Sequence, residues 1–418
     1  MDNDKKDTTD SSAPLATAHW PLATHHSPFT SVPLAWRNLI HDKRRFLVSI
    51  AGIALAVILM FMELGFWNGL LDSSVSLVRE FNGEIIIASK ARYTMVVREP
   101  FTTRRLAQAR AVAGVHDVFP IFIEDRIALW KDPEHKNPDE PGTRPIRVIA
   151  FNPAYLGLKI PEIEANLYRL RIPNTVLMDR RSKDDYGKRE ANLIRELSGN
   201  SIEVVGTFSL GTDFSTDGNL ITSDQTFAKL FPYRAAPGST LNLADLGVVQ
   251  LEPGSDVRAV QKALEKILPD DVVVYTLPEF VDKEITFWQQ ATPMGFIFTC
   301  GLIMGVIVGM VICSQILSAD VTDHLKEYAT LKAIGYSNRY IVGVVLRQAL
   351  LLALLAFGPA LLASILLYEY LGAITGLPLY LTLGRIALVL VLSAGMCMAS
   401  GFLALQKVIK ADPAEVFS

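Results

Sequence analysis

The sequence predicts a membrane protein: four transmembrane helices plus a mixed α/β extracytoplasmic domain inserted between helices 1 and 2. Three observations lead there. Four runs are long and apolar enough to cross a bilayer. A long polar section separates the first run from the second. Lysine and arginine gather at one set of helix ends. The whole chain is 50% hydrophobic and 20% charged, an average that fits two populations of residues better than one soluble core. A net charge of −3 argues against a nucleic-acid partner.

A bilayer core of about 30 Å requires about 20 apolar residues in helical form. Residues 46–70, 293–319, 340–371 and 385–406 meet that requirement. The second and fourth runs have no charge in their interiors. Arg347 sits near the start of the third, within snorkelling reach of an interface. The first contains Glu63, which costs about 2.5–3.5 kcal/mol at a helix centre, while each Leu, Ile, Phe or Val returns about 0.3–0.6. Its off-centre depth and the apolar residues before it let the helix insert. The first run is too long for a cleaved signal, and no small-residue cleavage site follows it. Residues 1–32, polar and rich in Ser, Thr, Pro and His, read as a disordered cytoplasmic tail. His19, His25 and His26 have no fixed geometry there that would make them metal ligands.

Lys43, Arg44 and Arg45 precede the first helix, Lys407 and Lys410 end the fourth, and Lys326, Lys332 and Arg339 lie between the second and third. The positive-inside rule then places both termini and the 2–3 loop in the cytoplasm, with residues 71–290 outside. Trp67 and Trp288 fall at the outer interface, where amphipathic rings belong. Residues 33–70 read as an interfacial segment and the first transmembrane helix. In that segment Leu34, Trp36, Leu39 and Ile40 would form a short helix on the inner surface.

In the outer section, strands are expected at 84–89, 115–123, 146–151, 175–178, 202–208, 246–251 and 272–275. Helices are expected at 102–112 and 255–267, the second capped by Ser255. Residues 71–81 and 278–290 read as helical extensions of the first and second transmembrane helices, forming a stalk able to carry motion outward.

No catalytic, cofactor or metal site is legible. There is no G-x-x-x-x-G-K-[ST], and Gly187-Lys188 lacks a glycine-rich lead. H-E-x-x-H, C-x-x-C and G-x-S-x-G are absent. Asp184-Asp185 beside Arg180-Arg181 reads as a solvated charged loop. Cys300, Cys313 and Cys397 all lie in apolar runs, which excludes a disulfide framework from the polar section. One intramembrane carboxylate on four helices leaves little to line a secondary transporter's path.

The loop between the second and third helices is the most informative segment. Placed on one helix over about 320–335, Val321, Leu325, Tyr328 and Leu331 make an apolar face, and Asp323, Lys326, Glu327 and Thr330 make a polar one. Gly335 ends it in a left-handed cap, and Ser337 or Asn338 starts the next helix. In the second transmembrane helix Gly301, Gly305 and Gly309 share a face, which suits close helix packing within the chain or between two copies. Bulk at Gly305 is expected to disturb that packing. Gly358-Pro359 is expected to kink the third helix.

Glu327-Tyr-Ala-Thr-Leu-Lys-Ala-Ile-Gly335 resembles the E-[IY]-[AG]-x-L-[RK]-A-[IL]-G segment of ABC transporter permeases of the FtsX/MacB superfamily. The terminal Lys410-Ala-Asp-Pro-Ala-Glu-Val-Phe is similar to their closing D-P-[AV]-E-[AV]. Pro33-Leu-Ala-Trp-Arg-Asn-Leu with Lys43-Arg-Arg-Phe, Gly65-Phe-Trp-Asn-Gly-Leu-Leu-Asp and Thr175-Val-Leu-Met-Asp-Arg-Arg-Ser are most similar to the DevC branch, permeases of DevBCA-type exporters.

The resemblance implies a MacB-like periplasmic domain with its stalk at 71–290 and an FtsX-like domain at 291–418, in a bacterial inner membrane. It implies a permease that binds no ATP and transmits mechanical work. Its partners would be a separate ABC ATPase subunit, a second copy of itself, a periplasmic adaptor, an outer-membrane channel and the lipid bilayer. Carried over by position, Glu327, Lys332 and Gly335 would belong to the ATPase contact. The Leu331 face would either dock on the membrane domain or fill the ATPase groove. Two alternatives remain open: an FtsX-like regulator of a periplasmic cell-wall hydrolase, and a lipoprotein-releasing permease.

Overall fold

The computed structural model describes residues 43–132, 142–235 and 241–410. The expected tail at 1–32 with its histidines, the interfacial segment around Trp36 and the closing Asp412–Phe417 lie outside these residues. Four helices are long and apolar enough to cross a membrane: α1 (Lys43–Ser74), α8 (Pro293–Asp323), α10 (Asn338–Thr375) and α11 (Leu383–Lys410). Between α1 and α8 the chain builds a sheet domain.

That domain is an eleven-stranded mixed sheet in the order β13-β1-β12-β3-β6-β10-β7-β9-β8-β4-β5. The strands are β1 (Ile85–Ser89), β3 (Val115–Glu124), β4 (Leu129–Lys131), β5 (Thr143–Pro145), β6 (Arg147–Phe151), β7 (Thr175–Asp179), β8 (Leu193–Leu197), β9 (Asn200–Phe208), β10 (Asn219–Ser223), β12 (Leu246–Leu251) and β13 (Val272–Thr276). Short β2 (Phe101–Thr102) and β11 (Leu243–Ala244) pair separately. Among the described residues, only β6–β10 and β7–β9 are parallel.

Side chains alternate between the two faces of a strand, and here both faces are buried. Ile85 and Ile87 join one core with Leu106 of α3 (Arg104–Arg110) and Val260 and Leu264 of α6 (Val257–Ile267). Ile86 and Ala88 join the opposite core with Ile163 of α4 (Pro161–Leu170). That double coverage explains the unbroken apolar run of β1. Helix α5 (Asp224–Leu230) adds Phe227 to the first core.

The second core also takes in the stalk. Leu77 and Val78 of α2 (Ser76–Arg79), Phe81, and Phe280 of α7 (Leu277–Thr286) all belong to it. The stalk is therefore built into the sheet domain. Helix α7 starts from a capping box in which Thr276 accepts from the Glu279 N–H and the Glu279 carboxylate accepts from the Thr276 N–H. Burial opposes ionisation of Glu279. Hydrogen bonds from Arg258, the Thr276 N–H and Gln261 outweigh it and hold the carboxyl at about 2. This ties α6 to α7.

Several local expectations are corrected. The cap of α6 is Asp256, whose side chain accepts from the Arg258 N–H, while Ser255 turns its hydroxyl to the Gly114 carbonyl. The stalk below α7 does not run continuously into α8. A π-helical turn at Phe287–Ala291 leads to Thr292 in an extended conformation, and Pro293 restarts the helix. Proline lacks an N–H and suits a first turn, so the break falls just before it. Helix α10 spans Pro359, which stands in its interior.

In the bundle α1 packs on α8 and α10, and α11 packs on α8 and α10. Gly301 and Gly309 are notches. A Cβ on Gly301 would stand 2.5 Å from the Glu63 carboxyl, and one on Gly309 would stand 2.9 Å from Ala56 and also strike Met396. The glycine face thus packs within the chain, against α1 and α11. Gly305 is looser, its added Cβ lying 3.6 Å from Met60. Gly65 leaves room for the Tyr368 ring, whose hydroxyl donates to the Phe61 carbonyl.

This geometry moves the sensitive position away from Gly305. Gly309→Ala is expected to destabilise the full chain in detergent by about 1–3 kcal/mol through overpacking, and Gly305→Ala to leave its thermal midpoint nearly unchanged. Equal shifts for the two variants would contradict the notch assignment.

Candidate functional site

At the end of the bundle opposite the sheet, α8 stops at Asp323 and the chain bends at His324 (φ −95°, ψ 12°). A shorter helix, α9 (Leu325–Ala333), follows. The segment expected to be one helix over 320–335 is therefore the tail of α8, a hinge and α9. The His324 Nδ1 lies 2.9 Å from the Asp320 carbonyl.

Helix α9 ends where left-handed backbone is needed. Gly335 has φ +102°. Its N–H donates to the Lys332 carbonyl, and the Tyr336 N–H donates to the Leu331 carbonyl, both at 3.0 Å. These are the paired bonds of a Schellman ending. Ser337 is the N-cap of α10.

One face of this unit is anchored. Val321 and Tyr328 are buried with Ile341 and Val345 of α10 and Leu405 of α11, and Leu331 packs partly against them. The Leu331 face therefore points into the bundle. Tyr328, at 2% exposure, is an anchor with no surface to offer.

The opposite face is open. Asp323, Lys326, Glu327 and Thr330 are exposed, Lys332 is half-buried, and Gly335 lies at the exposed tip. Beside Gly335 stand Ile334, 70% exposed, and Tyr336, whose ring lies 4.9 Å from that of Tyr340. Reading the sequence by helical faces missed Ile334 and Tyr336 because both lie outside the helical period. Their position flanking a cap glycine was the available signal. The arrangement is a knob with a charged side and an apolar tip. It holds no nucleophile–base pair, and no metal-binding cluster occurs among the described residues.

The far end of the bundle is tied to the sheet domain by polar contacts. Asp72 near the end of α1 pairs with Arg385 at the start of α11 (2.8 Å) and with Arg79 of α2 (3.5 Å). Glu284 of α7, fully buried, accepts from the Thr94 hydroxyl (2.7 Å) and the Met95 N–H (3.0 Å). Trp67 packs on Phe298 of α8, ring centroids 5.7 Å apart. Where the stalk meets the sheet, Arg147 and Asp213 form an ion pair at 2.7 Å, with side chains 8% and 7% exposed. Burial alone would raise the Asp213 carboxyl. Arg147 and the Ser215 donors prevail and hold it below its ordinary value.

Residues 288–413 match the family described as FtsX-like permease C-terminal. The match covers α8, the α9 knob, α10 and α11. No curated protein matches the chain. Among solved structures, the periplasmic region of MacB from Actinobacillus actinomycetemcomitans is 10% identical with a TM-score of 0.34, covering 48% of this chain and 91% of that one. The extracellular domain of the noncanonic ABC-type transporter YknZ from Gram-positive bacteria is 12% identical with a TM-score of 0.30, covering 46% and 99%.

Two outcomes test these geometries. Tyr328→Ala should remove about 3–5 kcal/mol of packing and speed amide exchange across 325–335. Unchanged exchange there would mean that α9 is not held by this face. Asp213→Asn should cost about 3–5 kcal/mol at neutral pH by stranding buried Arg147. Because the folded-state pKa of Asp213 is depressed, its contribution is complete above the unfolded value of about 4 and fades as pH falls through the folded value. The variant should therefore lose part of the acid dependence that wild type shows below about pH 4 in thermal unfolding.

Proposed function

We propose that this chain is the permease subunit of an ABC exporter, converting the work of a separate ATPase into movement of its outer domain. The observation that carries this reading is the α9 knob. One face is fixed to three long helices, and the other is open, charged and tipped by Ile334 and Tyr336. A load applied to that face has a direct path into α8, and α8 contacts α1 along its glycine face. Both helices lead to elements seated in the sheet domain. The FtsX-like match over this same region supports it.

In this reading the knob and both termini are cytoplasmic, following the lysines and arginines, and the sheet domain is periplasmic. The membrane is the bacterial inner membrane. Glu327, Lys326, Asp323, Lys332 and Gly335 belong to the ATPase contact, joined by Ile334 and Tyr336. Tyr328 and Leu331 hold the knob in place. A second copy, a periplasmic adaptor and an outer-membrane channel complete the assembly, in the manner of the DevC branch.

The test is affinity purification of the tagged full chain from its own membranes, with identification of its companions. A P-loop ATPase and an adaptor are expected. Ile334→Asp together with Glu327→Ala should cut ATPase recovery by about ten-fold, which corresponds to about 1.4 kcal/mol, with no change in the thermal midpoint. Recovery of an ATPase with a cell-wall hydrolase would replace export by regulation. Absence of any ATPase, or equal recovery by the double variant, would refute the contact.

A further inference from the structure

Outside the knob and the stalk, a cavity lies between the sheet domain and the bundle. It is a groove of about 530 Å³ between the loop that follows β7 and the last turns of α10. One wall carries Arg181, Lys183 and Arg189. The other carries Tyr370, Ala373 and Ile374. A charged wall, which Asp184 and Asp185 also line, faces an apolar one, and this is the shape of a site for an amphiphile.

The charges on the polar wall differ in how they are satisfied. Arg189 pairs with Asp184 at 2.5 Å, Lys183 with Asp217 at 2.6 Å, and Asp185 with Arg144 at 3.4 Å. These pairs set the loop, so Asp184 and Asp185 already have counter-ions. Buried Ser182 and Tyr186 pin it from beneath. Arg181 is exposed. Its backbone N–H donates to Asp179, and its guanidinium rests over Gly211. Among the described residues no carboxylate pairs with that guanidinium.

Depth in the membrane fixes what lies opposite. Helix α10 is uncharged from Gln348 to Tyr368, a length of about 31 Å at 1.5 Å per residue. That matches a hydrocarbon core of about 30 Å, bounded by Arg347 at one end and Glu369 at the other. Tyr370, Ala373 and Ile374 then stand in the headgroup layer. Below them an apolar stripe descends at four-residue spacing: Ile374, Tyr370, Leu366 and Leu362 are 58%, 64%, 60% and 62% exposed. Glu369 is offset from this stripe by a third of a turn and does not line the groove.

We propose that this groove holds one anionic lipid of the adjoining leaflet, its phosphate on Arg181 and an acyl chain along Tyr370, Leu366 and Leu362. The proposal rests on α10 spanning the bilayer. The uncompensated cation and its position at phosphate depth select an anionic headgroup, and the stripe selects a hydrocarbon tail. A lipid so held would add a second bridge beside the one already present, in which the Thr212 hydroxyl of the sheet domain donates to the Thr375 carbonyl of α10 at 3.5 Å.

The full chain is reconstituted in nanodiscs, extracted, and its retained lipid counted by native mass spectrometry, with phosphatidylglycerol and phosphatidylcholine supplied equally. Wild type should retain phosphatidylglycerol over phosphatidylcholine by about five-fold, the effect of one basic residue near an anionic surface. Arg181→Gln should abolish that preference, and Lys262→Gln, on a distant exposed face, should keep it. Ala373→Trp, which fills the groove, should lower retention of both lipids. No preference in wild type, or a preference that survives Arg181→Gln, overturns the proposal. Displacement by soluble glycerol phosphate alone would make the site one for free phosphate and overturn the lipid assignment. A chain that fails to enter nanodiscs would instead refute the spanning of α10, a result separable from the others.

Discussion

The close approach of α1 and α8 is the contact on which the rest of the molecule depends. It exists because Gly301 and Gly309 present no side chain where Glu63 and Ala56 arrive. In a bilayer the hydrophobic effect does not hold helices together, so dispersion between closely fitted surfaces has to do so. Among the described residues the chain enters the sheet domain from α1, through α2, and leaves it for α8, through α7. Loosening their contact would separate the two legs of the stalk.

Each end of that pair is fixed by a different kind of interaction. At the knob end the contact is apolar, with Tyr328 and Val321 wedged among Ile341, Val345 and Leu405. At the sheet end it is polar, with Asp72 between two arginines and Glu284 clamping the Thr94–Met95 backbone. Between the sheet and α8 lies one irregular element, the π-helical turn and extended Thr292. Irregular turns inside helices often mark places where function needs a bend. Here the turn separates a helix seated in a protein core from a helix seated in lipid.

Much of this was legible in the sequence, for physical reasons that differ by element. The four long helices follow from composition alone, since water-averse runs of that length have few other solutions. Strand β1 was legible because Ile85-Ile-Ile87 has side chains suited to both covered faces. Strand β10 drew no expectation: polar Asn219, Thr222 and Ser223 break its apolar run, and in the fold Asn219 bonds Asp179 and the Gly211 carbonyl while Thr222 donates to the Thr175 carbonyl. Gly335 announced a helix end because its backbone conformation is one that glycine adopts freely. Which way the Leu331 face points was not legible, because α10 and α11, which receive it, follow it in the chain and leave no mark on its periodicity. Ile334 was missed for the related reason that a residue in a cap obeys no helical repeat. The groove beside Arg181 joins segments almost two hundred positions apart and has no local signature.

The sheet itself has a mechanical consequence. Its central strands β6, β7 and β10 are buried on both faces, and hydrogen bonding runs through eleven strands, which stiffens it against bending. Strand β13, continuous with α7, lies at one edge, and β5 lies at the other. At a spacing of about 4.8 Å between strands, ten spacings give a path of about 48 Å across the sheet, which strand twist shortens in a straight line. A tilt of about 5° at one edge would move a point that far away by at most about 4 Å, so displacement grows with distance across the sheet.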